Sequence, residues 1–127
     1  PYVAIWIEDS AGKAVRTISV WGKKQKYIRD LKTWWKIGVA QPTLVNAVSR
    51  ASRAAGQYQL VWDGKDDKGA AVTPGTYTVR VETARENGPN TLLAGPIPCA
   101  DKPATAAIPG NNEVDAVGLS YGPPAGP

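Results

Sequence analysis

The apolar run "PYVAIWIE", residues 1–8, is largely β-branched or aromatic and reads as a strand, whose side chains alternate between two faces with a period of two. "DSAGK", 9–13, is a turn cluster, and "AVRTISVW", 14–21, repeats the strand pattern, so the first 21 residues predict a β-hairpin. The period then changes. Between residues 24 and 37 apolar side chains fall at Tyr27, Ile28, Leu31, Trp34, Trp35 and Ile37. This spacing predicts an amphipathic helix over about 24–37, with lysine and arginine on its other face and Gly38 to end it.

A small, polar loop follows at 39–56. "QYQLVWD", 57–63, returns to period two, with Tyr58, Leu60 and Trp62 on one face. "TYTVRVETA", 76–84, does the same with Tyr77, Val79 and Val81. Weaker strand patterns lie at 91–97 and 113–121, and "GPPAGP", 122–127, reads as a flexible tail. Short strands separated by turns predict an all-β fold, an antiparallel β-sandwich with one inserted helix. A small SH3-like barrel is the structural competitor. At 127 residues, a single domain over 1–121 is expected.

Composition narrows the chemistry. Histidine is absent and Cys99 is the only cysteine. No disulfide can form within the chain, no Cys/His zinc set can be assembled, and a Ser-His-Asp triad or Cys-His dyad is excluded. Cys99, in "IPCADKP", has no second thiol to resolve it and reads as a bystander. No run of about 18 apolar residues predicts a membrane span. The sequence opens on Pro1-Tyr2 without a leader pattern and reads as a processed or truncated piece.

The net charge of +4 is unevenly spread. Residues 1–56 carry ten Lys/Arg against three acids, whereas 57–127 carry five against eight. The basic character peaks in "GKKQKYIRDLKTWWK", 22–36. One reading makes this helix a cap on an open end or edge of the sandwich, its lysines solvated. A second makes it a docking face, with Lys23, Lys24, Lys26, Arg29, Trp34 and Trp35 as partner-binding residues. A third rests it on anionic lipid headgroups. Nucleic acid is not expected, because the rest of the chain is acidic.

"WDGKDDKG", 62–69, gathers Asp63, Asp66 and Asp67. A calcium loop would alternate such ligands and close with a distant acid, but the next acids, Glu82 and Glu86, lie beyond a strand. Asp-Gly and Lys-Gly pairs argue instead for turns at the tip of a hairpin joining the strands at 57–63 and 76–84. No metal site and no catalytic residue is therefore assigned.

Residues 58–82 resemble the terminal hairpin of bacterial immunoglobulin-like modules, such as the one in the flagellar hook-capping protein. Over nearly the whole chain, "PYVAIWIED", "VRTISVWGKK", "YIRDLKTWW", "GQYQLVWDGKDDKG", "PGTYTVRVETAREN" and "NEVDAVGLSY" resemble the predicted periplasmic family called domain of unknown function 2271. The resemblance implies an immunoglobulin-like fold and a periplasmic or surface location. It also implies association with membrane proteins of iron uptake or flavin-linked redox chemistry. "NAVSRAS", 46–52, resembles the motif on which a transferase esterifies FMN to a hydroxyl, which would make Ser52 the attachment residue. Asn46 and Arg50 depart from that motif, where Asp and Gly are expected.

Three expectations follow. The first is a non-enzymatic accessory module that binds or helps assemble a membrane protein complex and carries no cofactor. The second is an electron carrier with FMN at Ser52, and the third a structural subunit of a surface filament.

Overall fold

The computed structural model describes residues 2–21, 30–38, 57–84, 90–100, 102–108 and 116–122. In chain order the elements are β1 (Tyr2–Glu8), β2 (Ala14–Trp21), α1 (Lys32–Gly38), β3 (Gln57–Trp62), β4 (Gly75–Ala84), β5 (Asn90–Cys99), β6 (Ala104–Ile108) and β7 (Ala116–Tyr121). They form a four-stranded sheet, ordered β2-β1-β4-β5, and a three-stranded sheet, ordered β3-β7-β6.

The four-stranded sheet is covered on both faces, and the sequence of β1 shows why. Tyr2 through Ile7 are all buried, so both sides of the alternation are apolar. Val3, Ile5 and Ile7 point between the sheets, where they meet Trp62, Tyr77, Val79, Val81, Ile97, Leu119 and Tyr121. Tyr2, Ala4 and Trp6 point the other way and pack with Val20, Ala84, Leu31 and Trp34. The helix α1 therefore lies on the outer face of this sheet, as a third layer. Burying whole aromatic and aliphatic side chains in both clusters is the main stabilising term.

The first hairpin forms as expected, with β1 antiparallel to β2 and register shifts at Ile5/Trp6 and Ile7/Glu8. Three expectations change. The helix occupies Lys32–Gly38, and Asp30 and Leu31 before it are not α-helical, so the amphipathic stretch is not one continuous helix. The strands β3 and β4 are not a hairpin: β4 pairs with β1 and β5, while β3 pairs with β7. The β3–β7 pair is parallel, so the fold is mostly β but not antiparallel throughout. A strand at 104–108, "ATAAI", adds to the pattern read from sequence; its alanines carry little of the β-branched signal. Pro96 and Pro98 sit within β5 because it is an edge strand, where a missing N–H costs no ladder bond. The tail at 123–127 lies outside the described residues.

Candidate functional site

Among the described residues, two regions carry the polar chemistry: the acidic stretch after β3, and α1 with the strand residues beneath it.

The acidic stretch crosses from one sheet to the other. It folds into a small hairpin of its own, with Lys65 bridged to Ala71 and the Val72 N–H bonded to the Gly64 carbonyl. Its tip repeats the β1–β2 turn almost bond for bond. Asp66 Oδ1 accepts from the Lys68 and Ala70 N–H groups, as Asp9 Oδ1 accepts from Ala11 and Lys13. Gly69 and Gly12 donate to the Asp66 and Asp9 carbonyls and hold φ of +86° and +81°. Both sequences read Asp-x-x-Gly, and in both the carboxylate shapes the backbone.

Asp67 has a different task. Its Oδ1 accepts from the Thr17 N–H at 2.9 Å, and its own N–H donates to the Val15 carbonyl at 2.9 Å. One residue thus imitates a neighbouring strand along the edge of β2. Next to it, Arg16 Nη1 contacts Asp63 Oδ1 at 2.9 Å and the Lys65 carbonyl at 3.0 Å. Burial alone would push the Asp63 carboxyl up, but the Lys65 N–H and the Arg16 charge outweigh it and hold it below the usual range. At Asp67 burial wins over the Thr17 N–H and Arg16, and the nearby Asp66 charge adds to it, so its carboxyl lies above the usual range.

The signs give a test. A carboxyl whose native pKa is raised destabilises the fold as pH rises through that value. Asp67→Asn keeps the acceptor oxygen and removes the charge. It should match or exceed wild-type stability at neutral pH, with the difference vanishing as pH falls toward 3.8. Asp67→Ala should cost about 1 kcal/mol through the lost bond to Thr17. Urea unfolding at several pH values reads both; an advantage of Asp67→Asn that grows on acidification would contradict the assignment.

A shallow groove of about 340 Å³ runs beside these turns, lined by Lys13, Ala14, Val15, Asp66, Asp67 and Lys68. Among the described residues no group of three or more acids or cysteines is placed to hold a metal ion.

The second region is built under α1. Glu82 of β4 is fully buried, and both carboxylate oxygens are used: Oε1 accepts from the Trp34 N–H at 2.7 Å and Oε2 from the Thr33 N–H at 2.9 Å. Trp34 is also fully buried, and its Nε1–H donates to Thr17 Oγ1 at 3.1 Å. The exposed side of α1 carries Lys32 and Lys36, one turn apart, beside the half-buried Trp35.

The family described as predicted periplasmic protein (DUF2271) matches residues 1–116. The chain belongs to this family. Its compartment is accordingly the periplasm. No curated protein and no solved structure matches the chain.

In this DUF2271 member the residues expected to meet a partner divide. Lys23, Lys24, Lys26 and Arg29 lie outside the described residues, as does Ser52, the expected FMN attachment point. Trp34 is not a surface anchor: its ring is sealed against the sheet, and it holds the helix rather than a partner. Trp35 keeps a partly exposed ring whose centroid lies 6.3 Å from that of Trp34. Cys99 is buried at the end of β5. Sequence reasoning missed Glu82 and Thr17. Glu82 falls on the face opposite Val79 and Val81, which reads as solvent-facing. The available signal was β1, whose two apolar faces required a second covering layer.

Proposed function

We propose that this DUF2271 protein is a non-enzymatic accessory module that binds a membrane protein complex through the exposed side of α1. The observation that supports the reading is the pairing of Lys32 and Lys36 beside Trp35, on a helix fixed from below by Trp34 and Glu82. A rigid, basic surface with an aromatic at its centre suits an acidic protein face. The strongly basic stretch at 22–29 precedes it directly in sequence. An immunoglobulin-like frame belongs to the same reading. Its support is the Tyr77 hydroxyl near the start of β4, which donates back to the carbonyl of Thr73, just before the strand, in the manner of a tyrosine corner.

Co-sedimentation with membrane vesicles from the source organism tests the reading. Binding should weaken with salt and fall roughly tenfold in Lys32→Glu/Lys36→Glu. It should vanish when the vesicles are treated with protease. Retention on protein-free liposomes of the extracted lipid would point to the headgroups instead, and binding indifferent to both substitutions would sink the proposal.

A further inference from the structure

The exposed surface of α1 is governed by a residue that never reaches it. We propose that Glu82 is a positioning residue: its buried carboxylate keeps α1 seated, and with it the outward placement of Lys32 and Lys36 beside Trp35. The inference rests on the reading of α1 as a contact face.

The physical case begins with length. At seven residues α1 is too short to persist as an isolated helix in water. Its first N–H groups have no partner within the helix, and an apolar sheet could not supply one. Glu82 supplies two, at Thr33 and Trp34. The dependence is mutual. A carboxylate stripped of water is costly unless its oxygens are hydrogen-bonded. Across the sheet Glu82 is flanked by Ala4 on β1 and Leu92 on β5, neither of which can bond to its side chain. Among the described residues no lysine or arginine pairs with it. The charge-assisted bonds to α1 are thus what makes this burial tolerable.

The anchoring is also directional. Glu82 fixes the start of the helix, and the Trp34 indole, bonded to Thr17, fixes its rotation about the axis. Gly38 completes the seat: a Cβ there would lie 2.5 Å from the Trp34 ring. With start and rotation set, Lys32 and Lys36 are left pointing outward, with the half-buried Trp35 at the rim of the packed cluster beside them. Losing the carboxylate should therefore release these residues while leaving both sheets in place, because the bonds of β1 to β2 and β4 do not involve the Glu82 side chain.

Glu82→Gln is the direct test, read by amide hydrogen exchange and by vesicle binding across a salt series. The amide turns an acceptor into an N–H donor facing an N–H. Protection of the Thr33 and Trp34 amides should drop about tenfold or more, with β1 and β4 amides unchanged. The salt dependence of vesicle binding should flatten, which a mere loss of folded protein would not produce. Thr17→Val, which removes the Trp34 acceptor at similar shape, is a second variant if the Glu82→Gln protein does not fold; it should lower the same protection severalfold. Unchanged protection at Thr33 and Trp34 in the variant measured would overturn the proposal. So would lost protection with binding and salt dependence intact. If wild-type protein itself fails to bind vesicles, the contact-face reading falls, while the exchange data still decide whether Glu82 seats the helix.

Discussion

Trp62→Ala should cost about 3–5 kcal/mol of stability, the range for removing a fully buried aromatic from a core that cannot collapse around the gap. Trp62 ends β3 and is fully buried. Its ring meets Tyr77 edge-on at 5.4 Å and Tyr121 at 5.6 Å, so one side chain joins β3, β4 and β7. Its Nε1–H donates to the Lys65 carbonyl at 3.0 Å, which ties the acidic stretch to the core. The variant would lose contacts in both sheets and leave that carbonyl with the Arg16 bond alone. Urea unfolding followed by far-UV circular dichroism measures the loss. A cost below about 1 kcal/mol would mean that the two sheets are held mainly by other contacts.

Gly64→Ala should be the second most damaging change, at about 2–4 kcal/mol, for two separate reasons. Gly64 holds φ of +77°, in the left-handed region, and a Cβ there would lie 2.8 Å from the Tyr121 ring. That ring is fixed by its packing on Trp62 and by its hydroxyl, which donates to the Ala100 carbonyl at 2.6 Å, so it has little freedom to move aside. Gly69 provides the comparison. Its φ of +86° carries the same backbone strain, but no atom lies within 4 Å of a Cβ there. Gly69→Ala should therefore show only the conformational penalty, about 1–2 kcal/mol. Parallel denaturation curves give the difference, which isolates the contact with Tyr121. Equal losses at the two glycines would show that the ring yields freely.

The strands were largely legible in the sequence because alternation is a local property. β1, β2, β3 and β4 fall within a residue or so of their apolar patterns. Partnership was not legible. Trp62 and Tyr77 flank a run rich in Gly and Asp that looks like a tight hairpin, yet the run leads from one sheet to the other. Nothing in a period of two distinguishes these outcomes; what decides them is whether β3 finds β4 or the distant β7. The acidic cluster was read correctly as turn-forming at Asp66, whose bonds are local. It was read incompletely at Asp67, whose partners, Val15 and Thr17, lie some fifty positions earlier. The same limit hid Glu82, since only the packed sheet brings it beneath α1. Trp34 and Trp35 adjoin in sequence and differ in fate because 3.6 residues per turn send one inward and the other to the rim.

The parallel pair carries a consequence for how the chain acquires its shape. β3 takes up Gln57–Trp62, and its ladder partner is Ala116–Tyr121, the last of the described strands. Closing so long a loop is slow compared with forming a local hairpin. A chain emerging amino-terminus first can pair β1 with β2, then β4 and β5, while β3 waits. Until β7 arrives, Trp62 has no finished pocket and its strand has no ladder partner. The interval between the appearance of β3 and of β7 is thus when the nascent chain is most prone to misassembly, and any truncation before residue 116 would make that exposure permanent.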